Sequence, residues 1–111
     1  MLSKEKRKPR RVVDTLLPAR EAGELALTVP QWTLSGKQIE REFRFKDFRQ
    51  AMTFVNGVAD AANKRDYHPD IYISYSRVRL THSTHKISGL SRNDFILAEE
   101  VDRLADDLVH T

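Results

Sequence analysis

The sequence predicts an α+β fold: a four-stranded antiparallel sheet with three helices packed on one face, in the order α-β-β-α-β-β-α. Residues 39–45 alternate apolar and polar side chains with the period of two that is typical of strands, and residues 70–85 have apolar side chains in both arms of a second hairpin. Residues 47–64 and 91–108 instead space their apolar side chains by three and four, as helices do. Two strand pairs, each followed by a helix, favour a sheet whose other face is left open for a partner subunit.

A short helix is expected near the N-terminus. Residues 12–22 fit a helix around Leu16 and Leu17. Pro18 lies within this segment, and because proline cannot donate the helical hydrogen bond, it either ends the helix or restarts it. The sequence leaves these two alternatives open.

The first hairpin joins residues 32–35 to residues 38–45 through a turn at Gly36. Alternate residues of the second arm share one face, and that face is largely apolar although an arginine belongs to it. The residues of this face are Ile39, Arg41, Phe43 and Phe45.

The two long helices each have a start signal and an apolar stripe. Asp47 with Gln50, and Ser91 with Asp94, have the three-residue spacing of a capping box. The first of these helices is predicted over residues 47–64. Its stripe contains Phe48, Ala51, Met52, Val55, Val58, Ala59 and Ala62, and the stripe of the last helix contains Leu97, Ala98, Val101, Leu104, Ala105 and Leu108.

Residues 70–85 are predicted to form the second hairpin, whose arms meet near Ser76 and Arg77. Tyr75 in the first arm is expected to pack against the second arm. The apolar residues of the hairpin are Ile71, Ile73, Tyr75, Val78 and Leu80.

Length and composition predict one small domain, residues 12–111, preceded by a basic tail of residues 1–11. Residues 1–11 carry a net charge of +5, whereas the whole chain carries +3. The remaining residues therefore sum to −2. We expect a disordered tail, with weak electrostatic affinity for nucleic acid as the alternative. The 111 residues include no cysteine, no membrane-spanning apolar run and no secretory signal. Disulfides, thiolate zinc sites and cysteine nucleophiles are therefore excluded, and a cytoplasmic location is expected.

Three of the four histidines, His68, His82 and His85, fall in or beside the second hairpin. A zinc site is disfavoured, because His82 and His85 are three apart on a predicted strand and would point to opposite faces. If the arms of the hairpin pair, His68 and His85 could flank one pocket. That arrangement favours acid–base chemistry without metal or cofactor, such as an elimination or a dehydration. The alternative is structural: His68 caps a turn and His85 ends a strand.

Two segments, FRFKDFRQAMTFVNGVADAA and DYHPDIYISYSRVRLTHSTHKISGLSRNDFILAEEVD, resemble pterin-4a-carbinolamine dehydratases. The resemblance covers residues 31–108, and its most specific parts are the spacings between His68-Pro69, Tyr75, His85 and Asp94. It implies the α-β-β-α-β-β-α fold and assembly as a homodimer or homotetramer. It also implies a cofactor-free dehydration of 4a-hydroxytetrahydropterin to quinonoid dihydropterin, in pterin recycling.

The resemblance further implies the roles of the site residues. His85 would protonate the departing hydroxyl, His68 would hydrogen-bond the pterin and assist as base, and Tyr67 would line the pocket as a donor. Tyr67 and Asn63 depart from the family pattern, because members carry a histidine and a charged residue there. Asp94 is expected to cap the last helix. The implied catalytic residues are His68, His85 and Tyr67, and the implied substrate-binding residues are Asp66, Tyr67, His68, Pro69, Ser83, Thr84, His85 and Lys86, with no metal.

These departures leave a second function open. Relatives of the family act as a transcription-factor dimerisation cofactor and as Rubisco assembly factors. The resemblance therefore also allows a catalytically impaired member that binds a protein partner. The −2 charge outside the tail argues against direct nucleic-acid binding, and no membrane partner is expected.

Overall fold

The computed structural model describes residues 15–109, so the expected basic tail lies outside the described residues. The described chain follows the predicted order α-β-β-α-β-β-α, and the predicted fold class is confirmed. Its elements are α1 (Ala19–Ala26), β1 (Thr33–Ser35), β2 (Gln38–Arg44), α2 (Phe48–Lys64), β3 (Asp70–Ser74), β4 (Arg77–His82), a 3₁₀ turn (His85–Ile87) and α3 (Arg92–Val109).

The four strands form one antiparallel sheet in the order β1-β2-β4-β3. The register places Phe43 opposite Val78, and Val78 opposite Ile73. Because side chains alternate along a strand, one row faces the helices, while Glu42 and Arg79 face the open side. The buried residues of β2 and β4 are Ile39, Phe43, Val78, Leu80 and His82.

Arg41 belongs to the helix-facing row of β2 and is paired there. Its Nη1 lies 2.6 Å from Asp102 Oδ1 in α3, and the same oxygen accepts a hydrogen bond from Trp32 Nε1 at 2.9 Å. The guanidinium also lies over Phe43, 4.2 Å from the ring centroid. These contacts compensate the partial burial of the charge, which explains an arginine in an otherwise apolar row.

Helix α1 begins after Pro18, so the alternative centred on Leu16 and Leu17 is wrong where the structure describes it. The Pro18 carbonyl accepts the first helical hydrogen bond, from Ala22 N at 2.9 Å. A proline suits this position because its missing N–H would have no helical partner. Leu17 N donates to Leu90 O at 2.8 Å, so the residues before α1 are fixed beside the start of α3.

Helix α2 has the predicted extent, but its buried face is rotated from the predicted stripe. Phe48 is 49% exposed, whereas Phe54, which the prediction left out, is fully buried. The Phe54 ring packs against Phe43 and Phe45 at centroid distances of 4.7 and 4.9 Å. The sheet offers aromatic partners to this face, and that contact decides which apolar face is covered. The buried residues of α2 are Ala51, Phe54, Val58, Ala61 and Ala62.

Each long helix has one half of its predicted capping box. Asp47 Oδ1 accepts from Gln50 N at 2.8 Å, while Gln50 Oε1 accepts from Lys46 N rather than from Asp47 N. In α3 the other half forms, and Asp94 Oδ2 accepts from Ser91 N at 2.8 Å. Asp94 therefore caps α3 as expected.

The second hairpin turns at Tyr75 and Ser76, earlier than predicted. Tyr75 has a φ of 57° and is 70% exposed, so the expectation that it packs against the other arm is wrong. A left-handed residue at the turn no longer follows the alternation of the strand. The hairpin also ends at His82 instead of residue 85, and the chain then leaves the sheet for the 3₁₀ turn.

Candidate active site

The buried carboxylate of Asp94 binds three separate segments of the chain. Its Oδ1 accepts a hydrogen bond from the Tyr67 hydroxyl. Its Oδ2 accepts from Thr84 Oγ1 and from Ser91 N, both at 2.8 Å. Because the Thr84 hydroxyl gives its one hydrogen to Asp94, the Ser91 hydroxyl donates to Thr84 Oγ1 across 2.9 Å. We call these four residues the Asp94 cluster.

Burial governs protonation in the Asp94 cluster. Loss of water raises the pKa of Asp94 above its ordinary value, and the hydrogen bonds from Tyr67, Ser91 and Thr84 oppose this rise. Burial, and next the Asp94 charge, raises the pKa of Tyr67 far above that of a free phenol. The phenol therefore stays protonated, and its one proton is directed to Asp94.

This placement of Tyr67 disagrees with the expectation that it lines the pocket. Its side chain is 6% exposed and lies in the core, with its ring centroid 5.5 Å from that of His82. The hydroxyl is held inside because a buried carboxylate needs donors. The Tyr67 hydroxyl therefore faces Asp94 and the backbone of Ser83 instead of solvent.

The Asp94 cluster fixes the backbone beside two of the candidate histidines. His68 directly follows Tyr67, and His85 directly follows Thr84. Both histidines are exposed, while the residue before each is buried against Asp94. One carboxylate therefore ties together two distant segments of the sequence, each of which presents a histidine to solvent.

Left-handed backbone occurs in both of these segments. Asp66 and Ser88, with φ of 52° and 53°, are two of the three such non-glycine residues in the described chain. This conformation costs a residue with a Cβ about 1–2 kcal/mol, so surrounding contacts must hold it. Around Ser88, two backbone hydrogen bonds between Thr84 and Gly89, of 2.8 and 3.4 Å, close the loop that carries His85.

A cavity of about 270 Å³ lies beside His85, and we call it the His85 cavity. Antiparallel pairing of Ile39 with His82 brings the start of β2 next to the end of β4. The turn before β2 and the loop after β4 therefore form its walls. Its lining residues are Lys37, Gln38, Ser83, Thr84, His85, Ser88 and Gly89.

The structure brings only part of the predicted site to the His85 cavity. Two lining residues, Lys37 and Gln38, were not predicted as site residues. Strand register is the signal that could have found them, because a hairpin turn lies beside the loop that follows its neighbouring strand. Of the predicted residues, Ser83, Thr84 and His85 line the cavity, and Asp66, Tyr67, His68, Pro69 and Lys86 do not.

A larger cavity, of about 510 Å³, lies against strands β1 and β2. Glu40 and Glu42 belong to its lining, and no histidine does. Both carboxylates are already paired, Glu40 with Arg79 at 3.4 Å and Glu42 with Arg44 at 3.0 Å. The His85 cavity is the candidate active site, because it contains a side chain of the type that exchanges protons near neutral pH.

His82 has a purely internal position. It is fully buried, 4.5 Å from the Trp32 ring centroid, and its Nδ1 donates to the Asp94 carbonyl at 3.1 Å. Burial lowers the pKa of His82 to about 4, so the imidazole is neutral at pH 7. Its Nε2 has no hydrogen-bond partner among the described residues. Residues 15–109 also contain no group of three His, Cys, Asp or Glu side chains placed to hold a metal ion.

The fold and this site define a class of protein: a helix-covered antiparallel sheet with a histidine over a polar cavity, on the loop after strand β4. The profile of the pterin 4 alpha carbinolamine dehydratase family matches residues 15–104. The chain belongs to this family, as its sequence resemblance predicts.

Individual relatives agree with this assignment. A protein of Nitrosospira multiformis, provisionally named pterin-4-alpha-carbinolamine dehydratase, is 42% identical over 88 residues, which cover 79% of this chain and 78% of the relative. A Xanthomonas campestris protein of the same name is 43% identical over 100 residues, which cover 88% and 85%. A Brucella melitensis crystal structure, described as a transcriptional coactivator/pterin dehydratase, matches with a TM-score of 0.79 and 31% identity, over 82% of this chain and 99% of that one.

Between residues 15 and 109, no helix combines the length and the apolar character that a membrane crossing needs.

Proposed function

We propose that this protein dehydrates 4a-hydroxytetrahydropterin to quinonoid dihydropterin by histidine acid–base catalysis, in pterin recycling. The observation that carries the proposal is the exposed His85 on a polar cavity, in a chain that belongs to the pterin 4 alpha carbinolamine dehydratase family.

The proposed reaction is an elimination of water. The bond between ring carbon 4a and its hydroxyl oxygen breaks, and the oxygen takes a proton and leaves as water. A ring N–H loses its proton as the new carbon–nitrogen double bond forms. One group must donate a proton and one must accept it, and imidazole can do both near neutral pH. His85 serves the leaving oxygen, and the hydroxyls of Ser83 and Ser88 are available to hydrogen-bond the ring.

His68 is the second proton-transfer group in this proposal, as base and as a hydrogen-bond partner of the pterin. Its support is the Asp94 cluster, which holds the residue before His68 and the residue before His85 on one carboxylate. Catalytic contacts often tighten only with substrate bound, so a place outside the cavity lining is compatible with this role. Tyr67 positions His68 through Asp94.

The test is a dehydration assay on freshly generated 4a-hydroxytetrahydropterin, measured against the uncatalysed background. We expect acceleration by the wild type and a loss of about 10²–10⁴-fold in His85→Ala. Arg49→Ala is the control, because Arg49 is exposed at the start of α2, which follows the end of β2 away from the cavity. No acceleration by the wild type, or full activity in His85→Ala, refutes catalysis by His85. Urea unfolding of both variants checks the fold.

A protein-binding role is the second candidate. It is favoured by the similarity to the Brucella melitensis structure, whose description names a transcriptional coactivator beside a pterin dehydratase. In this case the fold would be retained for a protein partner, and assembly as a homodimer or homotetramer is proposed for both functions. Light scattering measures the assembly. A wild type that gives no acceleration in the assay would leave the protein-binding role as the better proposal.

A further inference from the structure

The His85 cavity has an unbalanced charge. Lys37 is a cation, and none of the lining residues is an aspartate or glutamate. The other lining groups are neutral hydroxyls, one amide and a glycine. A cavity of this composition accepts an anion better than a neutral or cationic group.

The position of Lys37 follows from the strand register. Ser35 pairs with Gln38 across the β1–β2 turn, and Ile39 pairs with His82, so the turn that holds Lys37 lies next to the loop that begins at Ser83. The turn directly precedes β2 and the loop directly follows β4, and these two strands are paired. Lys37 therefore stands on the wall opposite the histidine loop.

The carboxylate closest to Lys37 in the sequence is engaged by other residues. Glu40, the nearest carboxylate in sequence, accepts from Gln38 at 3.3 Å and pairs with Arg79 at 3.4 Å. The Lys37 side chain makes no ion pair or hydrogen bond within the part of the chain that the structure describes. Its charge remains available to a ligand.

We propose that the His85 cavity takes a pterin with an anionic side chain, a phosphate ester or a carboxylate, and that Lys37 binds this anion. The inference rests on the proposed function, because it places the substrate of that reaction in the same cavity. The pterin ring itself is neutral, so the negative charge must lie on its substituent.

Three pterin probes distinguish a phosphate from a carboxylate as the anion that Lys37 binds. Calorimetric titration measures the Kd of 7,8-dihydroneopterin, which has a neutral side chain, of its monophosphate, and of 7,8-dihydrofolate, which has carboxylates. We expect the monophosphate to bind the wild type about fivefold tighter than dihydroneopterin, as for one exposed ion pair. Lys37→Gln should abolish this preference, and added salt should weaken it. For dihydrofolate the readout is the loss of affinity in Lys37→Gln, because its aryl group alters affinity by itself.

Lys46→Gln is the matched control, because it removes the same charge from an exposed lysine outside the cavity. Equal affinities for dihydroneopterin and both anionic probes overturn the inference, and so does a preference that survives in Lys37→Gln or disappears in Lys46→Gln. If dihydroneopterin alone is bound and its 4a-hydroxytetrahydro form is dehydrated, the inference fails and the proposed function stands. If no pterin binds and none is dehydrated, both fail.

Discussion

Replacing Tyr67 by phenylalanine removes one oxygen atom from the core, the hydroxyl that donates to Asp94. The ring and its packing beside His82 are retained, because the two side chains have nearly the same shape. The substitution therefore removes the hydrogen bond to a buried carboxylate and the interaction of the hydroxyl with the Ser83 backbone, and leaves the ring in place. It leaves Asp94 with the donors Thr84 and Ser91.

A hydrogen bond to a charged partner contributes about 1.5–3 kcal/mol. Since Asp94 retains two donors on Oδ2, we expect Tyr67→Phe to lower the free energy of unfolding by about 2 kcal/mol, and the melting temperature by about 10 °C. Loss of the donor also raises the pKa of Asp94 further, because the Tyr67 hydrogen bond opposes the effect of burial.

The loss of stability caused by Tyr67→Phe should change with pH. A carboxyl whose pKa is raised by folding stabilises the protein most when protonated, and this stability is lost as the pH rises through the folded pKa. Because the pKa of Asp94 is higher in the variant, the variant loses more stability than the wild type as the pH rises. The difference between the two proteins should therefore be larger at pH 8 than at pH 5.

Urea unfolding at pH 8 and pH 5 measures the loss of stability in Tyr67→Phe and the change of this loss with pH. Tyr75→Phe is the matched control, since Tyr75 is 70% exposed at a turn, and we expect it to change stability by less than about 0.5 kcal/mol. A Tyr67→Phe change below about 0.5 kcal/mol at pH 8 would refute the role assigned to the hydroxyl. A difference that grows on acidification would refute the statement that the Tyr67 hydrogen bond lowers the pKa of Asp94.

Two further predictions concern His82 and Gly89. Burial lowers the pKa of His82 to about 4, so its contribution to stability is complete above pH 6.5 and is lost toward pH 4, by about 3 kcal/mol. Urea unfolding of His82→Leu should show a smaller loss over this range, and an unchanged slope would contradict a neutral buried imidazole. A Cβ at Gly89 would lie 2.6 Å from Leu16 Cδ1, the tip of a half-exposed side chain that can move. We therefore expect Gly89→Ala to cost less than about 1 kcal/mol in thermal unfolding and Leu16→Ala to remove that cost; a larger loss would mean that Leu16 is held in place.

The secondary structure could be predicted because its signals are local. The alternation in residues 38–45 and the helical spacing in residues 47–64 each reflect one element that buries one face, and both elements formed with nearly the predicted bounds. The family could likewise be predicted from the spacing of residues between His68 and Asp94, and the family profile confirmed this prediction.

The errors occurred where a contact with another element decided the outcome. Phe48 and Phe54 are both apolar residues of α2, and only the position of the sheet buries the second and exposes the first. The α1 boundary depended on Pro18, for which the sequence allowed two outcomes. Tyr75 left its strand because the chain reverses there with a positive φ.

For the candidate site, too, some features could be predicted from the sequence and others could not. The candidate histidines, their spacing and the family to which the chain belongs could be predicted from the sequence. Tertiary structure alone decided that His82 is a neutral core residue while His68 and His85 are exposed, that Tyr67 bonds Asp94, and that Lys37 faces the His85 cavity. The physical reason is that the protonation and reactivity of a side chain depend on burial and on neighbours distant in sequence, which strand register and helix packing bring together.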